Sequence, residues 1–224
     1  MIGARSADLV QDDPVWIVGL ITVGAAFRAA FHVRVEGGRH LPRTGGAIVA
    51  LNHVSVLDSI GIAVACSDRG RTVRFLAASE AFDVPLVGWG LRVFRQIPIR
   101  RGARDVAALE RAAEVVRAGA LAGIYPEGRV GETGVLQPGR TGVGRLSLAS
   151  GAPVVPVGVW GAQARWPQGG PKLRGPLRPP FAVVFGEPIH PGGELTSQDD
   201  VRALTDRVMS SIGKLVERAK VLSR

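Results

Sequence analysis

Apolar runs of strand length alternate with segments of helical period along almost the whole of this chain, and that alternation limits the fold more than any other feature. Residues 47–51 (AIVAL) carry no charge and end in Asn52-His53, which reads as a buried strand followed by a turn. Residues 55–66 then read as a helix, 73–77 as a strand, 85–94 as a helix and 97–99 as a short strand, placed at an edge because it contains Pro98. Residues 105–118 have clear helical period, open on an acid and stop at Gly119. A strand at 122–125, a helix at 141–150 closed by Gly151, and strands at 154–160 and 181–185 follow. Residues 163–180 are a loop rich in Pro, Gly and Arg, and 198–222 are a charged amphipathic helix. The fold expected is α/β: a single-domain sandwich with a largely parallel central sheet flanked by helices. In such sheets, sites gather at the carboxyl ends of strands.

A chain of 224 residues can bury a proper core, and 46% hydrophobic with 21% charged residues is a globular composition. Lys and Arg outnumber Asp and Glu by 28 to 19, a surplus that favours an anionic partner such as a phosphate ester or an anionic membrane. A coding bias toward Arg, Ala, Gly and Val is the alternative source of that surplus. Aromatics make up only 5%, and no nucleic-acid motif is present, so a nucleic-acid partner is not expected. The single cysteine, Cys66, excludes an intrachain disulfide and sits in an apolar run where it reads as a small buried hydrophobe. No His/Cys spacing resembles a metal site, so no metal is expected.

Residues 15–27 (VWIVGLITVGAAF) are thirteen in a row without charge, preceded by Asp13 as a helix cap and Pro14 at the first helical position. A membrane span needs roughly 20 apolar residues, so this helix either lies in a membrane interface or packs in the core. Acids rather than bases precede it, and no A-x-A cleavage pattern follows, so it does not read as a secretory signal. Trp16 and Phe27 suit interface anchors, and Arg28 suits lipid headgroups.

Two constellations stand after strands. The first runs from Asn52 to Asp58. On one continuous helix a spacing of five leaves two side chains about 140° apart, so His53 and Asp58 meet only if His53 lies in the turn before the helix. Asp58 then fixes the imidazole tautomer, leaves the other ring nitrogen basic and stabilises the imidazolium. Ser55 reads as a helix cap rather than a nucleophile, because the Gly-x-Ser-x-Gly elbow is absent. The second is Tyr125-Pro126-Glu127-Gly128-Arg129, where Gly128 permits close backbone approach and Glu127 can hold a polyol hydroxyl or an arginine. Taken singly, each is also compatible with a purely structural role: a satisfied histidine, an ordinary turn. Residues 95–102 add Arg100 and Arg101 at a strand end, either a phosphate clamp or a solvated basic edge.

Together these stretches resemble the lysophospholipid acyltransferases, which include 1-acylglycerol-3-phosphate acyltransferases. That family's Asn-His-x-x-x-x-Asp block is matched by Asn52, His53 and Asp58. Its strand followed by Arg and Gly is matched at 97–102, with Arg101 in the phosphate-binding position. Its Phe-Pro-Glu-Gly-Thr-Arg block is half matched by Tyr125-Pro126-Glu127-Gly128, its basic-x-Gly by Arg140-Thr141-Gly142, and its Pro-containing strand by 154–157. Two positions depart: Arg129-Val130 replaces Thr-Arg, and Ala78-Ser79-Glu80 stands where a lysine is common. These departures leave the acceptor headgroup open.

The resemblance implies an acyl-CoA or acyl-carrier-protein donor as co-substrate, no other cofactor, and a lysophospholipid (such as 1-acylglycerol-3-phosphate) or glycerol phosphate acceptor. It implies His53 as base with Asp58 in support, and Asn52, Ser55, Arg101, Glu127, Gly128, Arg129 and Arg140 around the substrates. It divides the chain into a membrane-associating helical segment, 1–34, and a catalytic domain, 35–224, attached to the cytoplasmic face of the cell membrane. The tetrahedral oxyanion would be met by backbone N–H groups near a helix start or the Glu127-Gly128 turn. Residues 60–64 and 86–94 are candidates for an acyl-chain groove. A thioesterase using water as acceptor and a non-catalytic anionic-lipid binding module are the alternatives.

Overall fold

In the computed structural model, which describes residues 14–100, 105–131, 135–172 and 175–224, every side chain of β2 (Ala47–Leu51) is buried. Such a strand must be covered on both faces, which is the parallel-sheet pattern. Seven strands form one sheet. In chain order the others are β1 (His32–Glu36), β3 (Val73–Ala78), β4 (Ile97–Ile99), β5 (Leu121–Ile124), β6 (Val154–Trp160) and β7 (Pro180–Phe185). Across the sheet they run β1-β7-β6-β2-β5-β3-β4. The pairs from β6 to β4 are all parallel, β7 is antiparallel to β6, and β1 is parallel to β7. The sheet is therefore mostly parallel, with β1 and β7 reversed at one side.

Alternation along β2 assigns the two layers. Ala47, Val49 and Leu51 share a core with α1 (Pro14–Ala30) and α2 (Asp58–Ser67). Ile48 and Ala50 share the other core with α4 (Val106–Arg117), α5 (Gly142–Ser150) and α6 (Gln198–Leu222). A nine-residue helix, α3 (Pro85–Val93), stands between β3 and the edge strand β4 in the chain. Helix starts follow local chemistry: the Asp105 carboxylate accepts the Ala108 N–H, and the Ser197 hydroxyl accepts that of Asp200.

Close approach depends on small residues at two places. A Cβ on Gly61 of α2 would stand 2.2 Å from the Phe181 ring, and one on Gly158 of β6 would stand 2.2 Å from the Leu215 backbone of α6. Both helices therefore sit nearer the sheet than any side chain would allow.

Three sequence expectations are corrected here. Residues 55–57 form a turn, and α2 begins at Asp58, because the Asp58 carboxylate is spent on the backbone of that turn. Residues 32–36, which alternate apolar and polar, are a strand, so the division at 34/35 falls inside β1. Phe27 is core rather than an interface anchor: it stacks on Phe31 with centroids 4.7 Å apart and meets Phe181 edge-on at 5.2 Å. Arg28 is ion-paired with Asp68. Asp13, Arg101 and the side chain of Trp16 lie outside the described residues. Among the described residues no helix is long and apolar enough to cross a membrane.

Candidate active site

The turn after β2 and the start of α2 bring His53 and Asp58 together. His53 Nδ1 lies 3.2 Å from Asp58 Oδ2. The same oxygen accepts the Val54 and Ser55 N–H groups, each at 2.8 Å. A carboxylate oxygen only accepts, so the Nδ1 that faces it carries the proton and Nε2 is left with a free lone pair. Asp58 is wholly buried, and the His53 side chain keeps 11% exposure. Burial pushes the Asp58 carboxyl up, while the hydrogen bond and charge of His53 and the two N–H groups pull the other way.

A second loop, 125–131, clasps this turn. Glu127 Oε1 accepts the His53 N–H at 2.8 Å, and Oε2 accepts the Gln137 N–H at 2.8 Å. Gly131 donates its N–H to the His53 carbonyl at 2.8 Å. Both backbone polar groups of His53 are thus held by the Tyr125–Gly131 stretch. Burial raises the Glu127 carboxyl, opposed by those N–H groups and by His53. Tyr125 stacks on the imidazole, with ring centroids 3.8 Å apart and planes 21° apart, and Phe75 stacks on Tyr125 at 5.6 Å. Burial, then the Asp58 charge, push the Tyr125 phenol well above its ordinary range.

Several residues expected around substrate are turned to the backbone instead. The Asn52 amide donates to the Val159 carbonyl at 3.0 Å and accepts the Val159 N–H at 2.8 Å, tying the turn to β6. Ser55 is fully buried and its hydroxyl accepts the Leu57 N–H. Glu127 has both oxygens occupied. The N–H groups of His53, Val54, Ser55 and Gly128 are likewise committed within these loops. Gly128, at φ 73°, carries the Arg140 guanidinium against it: a Cβ there would lie 3.0 Å from Nε. The Arg129 and Arg140 side chains are exposed and have no hydrogen-bond or ion-pair partner among the described residues, while the Arg140 backbone N–H donates to the Pro126 carbonyl at 2.9 Å.

Beside the ring stack lies an apolar cavity of about 140 Å³ between α1, α2, β3 and α3, lined by Leu20, Ile60, Ala63, Phe75, Leu91 and Phe94 among others. The expected groove segments 60–64 and 86–94 both contribute. From the second, Gly90, Leu91 and Phe94 line the cavity, whereas Leu86 and Trp89 face solvent. Phe75 joins the cavity wall to Tyr125 and so to His53. Tyr125 as a stacking partner, Gln137 and Phe75 were not expected from the sequence. Only Tyr125 carried a local signal, its place directly before Pro126-Glu127. Cys66 is buried, and burial pushes its thiol up to about 12. Among the described residues no group of His, Cys, Asp and Glu side chains is placed to hold a metal ion.

This arrangement has close counterparts. The solved structure of the 1-acyl-sn-glycerophosphate acyltransferase PlsC of Thermotoga maritima is similar, with a TM-score of 0.67 and 25% identity over 89% of this chain and 79% of that one. An uncharacterised protein of Mycobacterium leprae is 29% identical over 86% of this chain and 61% of its own length. A chloroplastic 1-acyl-sn-glycerol-3-phosphate acyltransferase of Brassica napus is 27% identical over 70% of this chain and 44% of its own length. This chain thus spans about six-tenths or less of those two relatives. The acyltransferase family model matches residues 32–160, from the first residue of β1 to the last of β6, and includes His53, Asp58 and the 125–131 loop. The chain belongs to the acyltransferase family.

Proposed function

We propose that this chain is an O-acyltransferase that moves a fatty acyl group from an acyl-CoA or acyl-carrier-protein thioester to the free hydroxyl of a lysophospholipid, with 1-acylglycerol-3-phosphate as the first acceptor to test. The observation that carries the reading is the His53–Asp58 pair at 3.2 Å, held at the carboxyl end of β2 beside an apolar cavity. The names of the Thermotoga and Brassica proteins support the same acceptor class.

In this mechanism His53 Nε2 takes the proton of the acceptor hydroxyl as its oxygen attacks the thioester carbonyl carbon. Asp58 stabilises the imidazolium that forms. The tetrahedral intermediate collapses with cleavage of the carbon–sulfur bond, and the thiolate takes the proton back from His53. The products are the ester and the free thiol, and no acyl-enzyme forms. The buried Asp58 carboxylate can carry out its part because a buried charge beside an imidazolium is screened little. Arg129 and Arg140, with Arg101, are assigned to the acceptor phosphate, since guanidinium groups pair with phosphate oxygens in a planar fork. The cavity lined by Ile60, Ala63 and Leu91 is assigned to the acyl chain. Ile17, Val18 and Ile21 are exposed on α1 and support docking of that helix on an anionic membrane at its cytoplasmic face.

The test is transfer from labelled palmitoyl-CoA, and separately palmitoyl-acyl-carrier protein, to a panel of lysophospholipids. Diacyl product that falls by about 10²-fold or more in His53→Ala supports the reading. Free fatty acid without diacyl product would favour a thioesterase. Wild-type protein inert with both donors would reject acyl transfer.

A further inference from the structure

The surface of α3 carries an apolar patch that neither the catalytic pair nor the core uses. Leu86 is 85% exposed and Trp89 63%, with Val84 and Val87 about half exposed beside them. The opposite side of the helix is fixed against the chain: a Cβ on Gly88 would stand 2.0 Å from the Phe82 carbonyl oxygen. Leu86 and Trp89, three residues apart, therefore point outward together. Large apolar side chains grouped at this exposure mark a surface that meets something.

Charge decides which partner. From Val84 to Arg104 the sequence has five arginines and no acid. The neighbouring helix, α1, carries no acid, and its one charged residue, Arg28, is paired with Asp68. Trp and Leu flanked by arginines fit an anionic lipid interface, where the apolar side chains enter the acyl region and the cations meet headgroups. Position agrees. A Cβ on Gly19 of α1 would lie 3.0 Å from the Phe94 ring just past α3, so the two helices adjoin. The apolar cavity lies between them, lined by Leu20 and Val23 from α1 and by Gly90 and Leu91 from α3.

We infer that α3 is a membrane-inserting lip: Leu86 and Trp89 enter one leaflet of an anionic bilayer next to α1, so that the cavity opens to the lipid phase between the two helices. This rests on the acyltransferase reading for the use of the cavity, but not for the docking itself. An acyl chain then moves from bilayer to cavity without crossing water, which avoids exposing its methylenes.

The experiment measures binding of the full chain to vesicles of equal parts phosphatidylglycerol and phosphatidylcholine. The variant Leu86→Ser/Trp89→Ser replaces two solvent-facing residues, and its melting temperature is expected to match wild type. It is expected to bind vesicles about tenfold more weakly or worse, since two large apolar side chains no longer leave water. Equal binding by the variant would overturn the inference. So would a wild-type protein that ignores vesicles but is a dimer made monomeric by the same changes, because a second copy would then cover the face. A second measurement uses the burial of Cys66: Leu86→Cys offers the accessible thiol for an environment-sensitive fluorophore. Its emission is expected to shift to the blue on vesicles. Vesicle binding with no shift would place the docking face elsewhere. Turnover of water-soluble short-chain donor and acceptor, expected to be equal in wild type and the double serine variant, tests the catalytic reading separately.

Discussion

Two carboxylates hold the catalytic turn, and their hydrogen bonds predict opposite responses to the same chemical change. Asp58 accepts three bonds on Oδ2, while its buried Oδ1 has no partner among the described residues. An asparagine can therefore keep its oxygen where Oδ2 was and turn its NH₂ to the empty side. Asp58→Asn is expected to retain the wild-type melting temperature and to lose activity by about a hundredfold or more, because a neutral amide cannot stabilise the imidazolium. Asp58→Ala leaves the Val54 and Ser55 N–H groups buried and unpaired, at about 1–3 kcal/mol each, and should lower the melting temperature as well. Glu127 is different, since its two oxygens accept from two different N–H groups. In Glu127→Gln one of those donors must face an NH₂. That variant is expected to lose about 1–3 kcal/mol in denaturant titration, despite being the closest isostere. The sequence made His53 and Asp58 legible because both lie in one short stretch where only a turn-then-helix path lets them meet. It could not show that Asn52, Ser55 and Glu127 are spent on backbone. Leu57 is local to Ser55, but Val159 reaches Asn52 only once the sheet has formed, and Gln137 reaches Glu127 only once the chain after β5 has turned back.

Elements were legible where their period is strong and local. The five strands from β2 to β6 and the helices α4 and α6 follow apolar patterns that need no tertiary knowledge. The start of α2 is set by a side chain reaching back across the turn, which pattern alone does not encode. β1 is short and only half buried, so its alternation is weak beside the long apolar helix that precedes it. Helix α4 begins at Val106, one residue later than the sequence reads, and the acid before it, Asp105, serves as its cap. The Asp105 carboxylate accepts the Arg100 and Ala108 N–H groups, and these bonds, more than the nearby arginines, hold it below its ordinary value of 3.8. A carboxyl lowered in the folded state adds stability above the unfolded-state value and loses it as pH falls through the folded value. Asp105→Ala is therefore expected to cost about 1 kcal/mol at neutral pH, a typical capping loss. The gap between variant and wild type should close as pH drops below the ordinary carboxylate range. Thermal unfolding of both proteins across acid pH measures it, and a gap that stays constant would remove the carboxylate from the account.

Across the whole molecule, the reversal of β1 and β7 leaves five parallel strands whose carboxyl ends share one edge, and the catalytic turn sits there after β2, with β5 delivering the loop that clasps it. The sheet thus brings together residues 74 positions apart, His53 and Glu127. The same edge adjoins the cavity through the stack of His53, Tyr125 and Phe75. If that cavity holds the acyl chain, its volume of about 140 Å³ limits how many methylenes can be buried next to the base. Ala63 projects from α2 into it, one turn beyond Ser59 and on the helix that begins with Asp58. Ala63→Phe fills part of the space without touching a hydrogen bond of the catalytic turn. Each methylene kept out forfeits about 0.8 kcal/mol of transfer free energy, or about fourfold in kcat/KM. The variant is expected to keep wild-type kcat/KM for short acyl-CoA donors and to lose about fourfold for each further methylene it excludes. Assaying a donor series from hexanoyl to palmitoyl measures the slope. A uniform loss at every length would mean that the change disturbs α2 and the base, and an unchanged profile would place the acyl chain outside this cavity.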